Sequence, residues 1–188
     1  MEKENVSPTE SDERYLPALA LALVDHPRAT LMELAKAIGV SKATLYRFCR
    51  TRDELIERLV KHAGGLYAQS LADAKLDQDS AQEALQRLIE CHLKHKEIHV
   101  FLMYYWRPEF LHESHPDQTW VKGQRTLDNF FLKAQQEGKY RIDISAAAMT
   151  ELFYSIMIGL IDAERRGRVP RAGIAQIVEL SFTKGIST

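Results

Sequence analysis

The chain has 188 residues and a formal net charge of −1, which excludes a uniformly basic nucleic-acid coat but leaves room for a local basic patch. Hydrophobic residues make up 45% and charged residues 27%, values typical of a soluble globular protein with one or two domains. The two cysteines, Cys49 and Cys91, have no CxxC or paired spacing. We therefore expect buried free thiols in a protein of the reducing cytoplasm.

Helical periodicity runs through most of the chain with almost no strand signal, which predicts an all-α fold. Residues 1–13 form an acidic, polar stretch with a local net charge of −4, which indicates a disordered tail and not a signal peptide. A first helix is predicted over residues 11–25. Pro17 fits this helix best if its regular part begins near Leu16, because proline is tolerated in the first turn.

Shorter helices are predicted next, over residues 31–38, 42–49 and 52–71, and tight turns separate them. Longer helices follow over residues 82–94, 96–106, 118–136, 145–164 and 171–186. The change in pattern predicts a small domain of short helices over residues 14–62 and a larger helical bundle over residues 63–188. The longest apolar run, residues 152–161, is half the roughly 20 residues that a membrane span needs, so we expect a buried helix and no membrane contact.

A helix-turn-helix motif is indicated over about residues 30–49. Ala35 is small enough for a steep helix crossing, and Gly39 suits the left-handed end of the first motif helix. Ser41 is a good N-cap for the second helix, and Leu45 and Phe48 are spaced to pack back on the first. From His26 to Arg52 the chain carries six lysines and arginines against the single acid Glu33, a local charge of +5. This basic patch coincides with the second motif helix, which predicts insertion of that helix into the major groove of DNA.

The outward side of the second helix offers residues suited to reading DNA. We expect Arg47 to contact guanine and Ala43 and Thr44 to contact a thymine methyl. Lys42, Tyr46 and Arg52 flank them at positions suited to phosphate contact.

The stretch "GVSKATLYRFCRTRDEL" resembles the signature of the TetR family of bacterial transcriptional regulators, of the form GVSxxTLYxxFxxKxxL. The resemblance is specific over about residues 15–62, and "GIAQIVELSFTKGI" is similar to that family's last helix. It implies about nine helices, a homodimer on an inverted-repeat operator, and a ligand pocket in the larger domain. The DNA-binding residues that the motif and the resemblance imply are Thr30, Ser41, Lys42, Ala43, Thr44, Tyr46, Arg47 and Arg52. Cys49 departs from the family's usual phenylalanine, and we interpret it as a small packing residue.

The helices over residues 145–164 and 171–186 are candidates for a dimer interface. The first is apolar almost all round, so it must be covered on more than one side. In the second, Ile174, Ile177, Val178 and Phe182 share a face. Pairing of both helices with their copies would form an isologous four-helix interface, which the resemblance also implies.

Aromatic residues concentrate in the middle of the chain, and at helical spacing most are expected to be core. A cavity for a small apolar or flat ligand is predicted among some of them. Its predicted lining residues are Tyr67, Phe101, Tyr105, Trp120, Phe130, Tyr154 and Met157.

Metal and cofactor sites are not expected. His95 and His99 have the i, i+4 spacing of a zinc pair, but no nearby aspartate completes a ligand set, and "HESH" is too short for HExxH. We therefore expect exposed or capping histidines. No sequence motif of an enzyme is present, so we expect no catalytic activity.

Two questions stay open from the sequence. Gly64 and Gly65 lie in the helix that joins the predicted domains, where they serve either as a hinge or for close helix packing. The second question is the function itself. The alternative to a ligand-responsive regulator is a DNA-binding architectural or partner-sensing protein that has no small-molecule ligand. A core without a cavity would favour that alternative.

Overall fold

A computed structural model describes residues 14–186, so the predicted acidic tail and the first three residues of the first predicted helix lie outside it. The expected all-α fold is confirmed. The helices are α1 (Leu16–Asp25), α2 (Leu31–Ala37), α3 (Lys42–Phe48), α4 (Arg52–Ala74), α5 (Ala81–Leu93), α6 (Lys96–Tyr105), α7 (Thr119–Gln136), α8 (Ala146–Arg165) and α9 (Ile174–Ile186). A short 3₁₀ helix over Pro108–Leu111 lies where the sequence predicts only a loop.

Side-chain caps fix the beginnings of the short helices. Ser41 begins α3 by accepting a hydrogen bond from the Thr44 amide, and Thr51 begins α4 by accepting one from the Glu54 amide. Each cap satisfies an amide that the helix itself leaves unpaired, which stabilises the helix by about 1 kcal/mol. The predicted start of α1 at Leu16, with Pro17 in its first turn, is also confirmed.

The helix-turn-helix has the predicted inner face. Leu34, Ala35, Leu45 and Phe48 are buried together, and Gly39 between the helices has a φ of +74°. Only glycine adopts this conformation without strain, so it sets the turn. Cys49 packs in the same core as expected, and burial is the main reason that the pKa of its thiol rises to about 11.

Helix α4 connects the small helices to the larger bundle without a break. It runs through the predicted domain boundary near residue 62 and through Gly64 and Gly65. Helix α6 of the bundle packs along α1 and also contacts α4 and α8. Its residue Tyr105 forms a hydrogen bond with Arg52 at the start of α4. The two parts of the chain are therefore joined by a shared helix and by a second, side-to-side contact.

Helices α8 and α9 form an outer layer that is only half covered by its own chain. The inward face of α9 consists of Ile174, Val178, Phe182 and Ile186, all buried. Ile177, predicted on that face, is instead 39% exposed, and Leu180 beside it is 45% exposed. Helix α9 begins at Ile174 and not at residue 171 because Gly173, with a φ of +101°, is outside the helical region.

Helix α8 is long and apolar enough to cross a membrane by length and composition alone, with a mean hydropathy of 1.4 over its apolar window. The uninterrupted apolar run of residues 152–161 covers only part of this helix, so that run alone underestimates the apolar length. A core helix of a soluble protein passes the same test, and here the chain itself buries 28% of the window. Leu152 is among the apolar side chains that stay exposed.

Candidate functional site

The exposed face of α3 carries the residues that the sequence predicts to meet DNA. Lys42, Ala43, Tyr46 and Arg47 are all exposed on this seven-residue helix. The Lys42 ammonium lies 5.2 Å from the centre of the Tyr46 ring, a cation–π contact at the surface. The helix therefore presents two cations and a phenol to solvent next to Ala43, a small side chain that permits close approach.

Three further predicted residues hold the motif helices in position. The Ser41 hydroxyl lies 2.8 Å from the Thr44 hydroxyl and accepts from the Thr44 amide at 3.0 Å. Thr30 forms a complete capping box with Glu33, and these hydrogen bonds lower the pKa of the Glu33 carboxyl. Thr30, Ser41 and Thr44 thus fix the orientation of α2 and α3, whatever they contact on DNA.

Arg52, predicted at a phosphate, makes hydrogen bonds within its own chain. Its guanidinium donates to the carbonyl of Pro27 and to the hydroxyl of Tyr105, both at 2.8 Å. The Tyr105 hydroxyl in turn lies 3.5 Å from the carbonyl of Leu23 in α1. In this structure Arg52 therefore joins the start of α4 to α1 and α6, and its contact with a phosphate stays a prediction.

A cavity of about 430 Å³ lies in the larger bundle between α4, α6, α7 and α8. Three predicted lining residues, Tyr67, Trp120 and Tyr154, do line it. Tyr67 stacks on Trp120 with ring centres 5.1 Å apart, and Trp106 meets Trp120 edge to face at 5.0 Å. These three rings form an aromatic part of the cavity wall, which suits a flat ligand.

The other four predicted lining residues do not face this cavity. Phe101 and Tyr105 stack on each other on the opposite side of α6, with ring centres 4.7 Å apart. Phe130 and Met157 are buried in the bundle core. The prediction was wrong here because these helices are apolar on several sides, so periodicity does not tell which apolar side meets a cavity and which meets a neighbouring helix.

Residues that were not predicted from the sequence complete the lining. They include His95, His99, Trp106, Gln124 and Glu151. One signal was present in the sequence. Glu151 is an acid within the apolar part of α8, and Glu151, Tyr154 and Ile158 repeat at the spacing of one helix face.

Gly123 of α7 permits the close approach of Tyr67 to the cavity wall. A Cβ atom on Gly123 would lie 2.1 Å from Cε1 of Tyr67, far inside van der Waals contact. Gly64, by contrast, would bring a Cβ only into ordinary contact with Trp120 at 3.7 Å, and Gly65 would meet nothing within 4 Å. Close packing therefore requires glycine at position 123. It does not require glycine at position 64 or at position 65.

Substituting Gly123→Ala is expected to destabilise the protein by about 1–3 kcal/mol, because Tyr67 must leave its stacked position on Trp120. Gly65→Ala is the matched control, and we expect it to stabilise α4 by roughly 1 kcal/mol. Urea denaturation of both variants measures the difference. Equal stability of Gly123→Ala and the native chain would contradict the assigned contact.

A pair of stacked histidines lies beside the cavity. The rings of His92 and His99 are 5.1 Å apart and nearly parallel. His92 is fully buried, which corrects the expectation of exposed or capping histidines, although His95 does lie at the N-cap of α6. Burial is the main reason that the pKa values of these rings are low, about 4 for His92 and about 3 for His99. Among residues 14–186 no group of three potential ligands is placed to hold a metal ion.

The buried His92 predicts a loss of stability in acid. An unfolded histidine takes up a proton near pH 6.5, whereas the folded protein resists protonation of His92 until about pH 4. Stability therefore falls as the pH drops through this window, by about 2 kcal/mol between pH 7 and pH 5. Urea denaturation at both pH values measures this fall in the free energy of unfolding. The contribution of His92 should be absent in His92→Asn and unchanged in His112→Asn, a control at an exposed histidine. Identical pH profiles for His92→Asn and the native chain would exclude His92 as the cause.

Comparison with known proteins relates this geometry to regulators of transcription. The HTH-type transcriptional regulator NfxB of Pseudomonas aeruginosa is 49% identical over 176 residues, which is 94% of each chain. The HTH-type transcriptional repressor LfrR of Mycolicibacterium smegmatis is 27% identical over 173 residues, or 92% of this chain and 88% of LfrR. No family model matches the sequence.

Solved structures agree with this relationship. The TetR-like regulator LfrR in complex with proflavine aligns with a TM-score of 0.71 and covers 95% of this chain and 98% of its own. A TetR-family regulator from Rhodococcus, 15% identical, shares the fold with a TM-score of 0.69 over 96% of this chain and all of its own. The chain belongs to the TetR family of helix-turn-helix transcriptional regulators.

Proposed function

We propose that the protein is a cytoplasmic repressor that binds an inverted-repeat operator as a homodimer and leaves it when a small ligand occupies the bundle cavity. The observation that carries this proposal is the presence, in one chain, of an exposed basic α3 and an aromatic cavity joined through α6. The cavity of about 430 Å³ favours a ligand-responsive regulator over an architectural protein without a ligand. The repressor LfrR supports a flat aromatic effector, because its structure holds proflavine.

DNA contact is assigned to the small helices within residues 14–62. Lys42, Ala43, Thr44 and Arg47 are proposed at bases or the adjacent backbone, and Tyr46 at a phosphate. Thr30 and Ser41 begin helices whose N-terminal amides and positive dipole ends suit a phosphate. Regulation and assembly are assigned to residues 63–188.

Dimerisation through α8 and α9 is supported by the apolar surface that these helices leave uncovered. Leu152 of α8 and Ile177 and Leu180 of α9 are each about two-fifths exposed. A second copy that covers this surface would bury it without a membrane and would form an isologous four-helix interface. Two-fold symmetry then matches an inverted repeat, because each α3 reads one half-site.

Transmission from the cavity to α3 has a short route through α6. Trp106 lines the cavity, and the adjacent Tyr105 holds the guanidinium of Arg52 at the start of α4. A ligand that moves Trp106 would disturb this hydrogen bond and shift α4 with the motif attached to it. Gly64 and Gly65 would ease a tilt of α4, since neither is required for packing. If they act as a hinge, replacing both by alanine will reduce ligand-induced release from DNA, and unchanged release would exclude it.

A reporter gene controlled by the chain's selected operator tests the proposed function. The native chain is expected to repress the reporter, and addition of aromatic compounds should relieve repression. Leu66→Trp places an indole at the cavity wall, so this variant should repress but no longer respond. Equal relief in the native chain and Leu66→Trp would place the effector elsewhere, and a reporter that the native chain never represses would contradict the proposal.

A further inference from the structure

Arg165, the last residue of α8, reaches the end of α1 among the small helices. Its guanidinium lies 3.5 Å from a carboxylate oxygen of Asp25, the last residue of α1. Among the ion pairs that lysine and arginine form within residues 14–186, this one alone joins the small helices to the bundle. It therefore links α1 directly to a helix of the proposed dimer interface.

The guanidinium of Arg165 is held in this position by two further partners. It donates to the Tyr104 hydroxyl of α6 at 3.2 Å and to the Asp162 carboxylate, one turn earlier in α8, at 3.3 Å. An arginine that is already ordered by two partners loses little further side-chain entropy when it contacts a third. The contact with α1 is therefore part of a prepared arrangement, in contrast to a single pair of mobile surface side chains.

Two adjacent tyrosines at the end of α6 hold two arginines of different helices, and both arginines reach the end of α1. Tyr105 accepts a hydrogen bond from Arg52 of α4, which also donates to the turn after α1. Its neighbour Tyr104 accepts one from Arg165 of α8, which pairs with Asp25. The end of α1 is thus tied to α4 by one arginine and to α8 by the other.

Resting on the proposed function, we propose that Arg165 is a positioning residue that sets the distance between the two α3 helices of the dimer. In the proposed dimer, α8 packs against its own copy beside the two-fold axis. A contact that fixes α1 against α8 therefore fixes each α3 relative to that axis. Arg165 contacts no DNA in this role, and it acts by restricting the half-site spacing that the dimer accepts.

A series of operators with different spacing tests this role on the full chain by fluorescence anisotropy. The series keeps both half-sites and adds or removes single base pairs between them. The native chain should prefer one spacing. Arg165→Ala should reduce that preference roughly three- to tenfold, because the dimer loses two partly exposed ion pairs. Affinity for an isolated half-site should not change, which separates positioning from a general loss of DNA binding.

Arg166→Ala is the matched control for Arg165→Ala. Arg166 follows directly in the chain and also pairs with Asp162, at 2.6 Å, but within residues 14–186 no ion pair joins it to α1. This variant removes the same charge from the same helix end, so it should keep the native spacing preference.

Asp25→Ala changes the other side of the ion pair. The fold should tolerate this substitution, because an acid at the C-terminal end of a helix is itself unfavourable. The spacing preference should fall as it does in Arg165→Ala. The double variant should lose no more than either single one, since both substitutions remove the same contact.

A measurement without DNA reports the distance between the two helix-turn-helix motifs directly. A spin label at Met32→Cys, an exposed position of α2, measures this distance in the dimer by pulsed electron paramagnetic resonance. The native Cys49 and Cys91 are buried, which directs the label to the new cysteine. The distance distribution should be wider in Arg165→Ala than in the native chain and unchanged in Arg166→Ala.

An unchanged spacing preference in Arg165→Ala, or equal losses in Arg165→Ala and Arg166→Ala, would overturn the role of Arg165. Losses that multiply in the double variant would show that Arg165 and Asp25 act separately, which also contradicts it. If the native chain binds no inverted repeat, the proposed repressor is wrong. The same distance distribution in the native and Arg165→Ala dimers would overturn the positioning role alone.

Discussion

Substituting Arg47→Ala is expected to weaken operator binding by roughly 100-fold or more, the largest effect of any single change on the α3 surface. A bidentate contact from arginine to guanine is worth about 1–3 kcal/mol, and a dimer loses it in both half-sites. The loss should be specific to the operator, because binding to unrelated DNA depends mainly on phosphate contacts. Fluorescence anisotropy with operator and with scrambled DNA at fixed salt measures both affinities.

Arg168→Ala is the matched control for Arg47→Ala. Arg168 is exposed on the loop before α9, so this variant removes the same charge far from α3. We expect its operator affinity to stay within about threefold of the native value, a difference of less than 1 kcal/mol. A similar loss for both variants would show that Arg47 acts through net charge and reads no base.

The second large effect is expected from Leu180→Glu on the outward face of α9. A carboxylate in the proposed dimer interface faces its own symmetry copy, and neither charge has a partner there. The dimer should dissociate into monomers at micromolar concentration, and operator affinity should fall with it. Light scattering coupled to size-exclusion chromatography measures the mass directly.

Leu132→Glu separates this interface effect from a general loss of stability. Leu132 of α7 is 46% exposed and Leu180 is 45% exposed, so the two substitutions change surfaces of similar accessibility. Leu132→Glu should remain a dimer that binds DNA. If both Leu180→Glu and Leu132→Glu remain dimers, α9 is not the interface. If both are monomers, the interface extends to α7.

Local chemistry explains why the buried and exposed sides of the motif helices were predictable. The N-cap Ser41, the left-handed Gly39 and the inward Leu45 and Phe48 each act within a few residues of chain. Their spacing fixes which side of α3 is buried, so it also fixes which side carries Arg47. The family resemblance implies Thr30 as a DNA-binding residue, and the structure shows that it also forms a complete capping box with Glu33.

Contacts between residues far apart in the chain were not predictable. Arg52 has a local sequence context typical of a phosphate contact, yet its guanidinium is held by Tyr105, 53 positions later. The close approach of Gly123 to Tyr67 and the separation of Phe101 from the cavity depend in the same way on how helices pack. Periodicity shows that a helix is buried on several sides but not which neighbour covers each side.

Selection of binding sites from random double-stranded DNA tests the central claim most directly. We expect enrichment of a single inverted repeat with half-sites about one helical turn apart, bound by two protomers, and no enrichment by Arg47→Ala. Broad binding without a shared repeat, or a single unpaired half-site bound by one protomer, would contradict it.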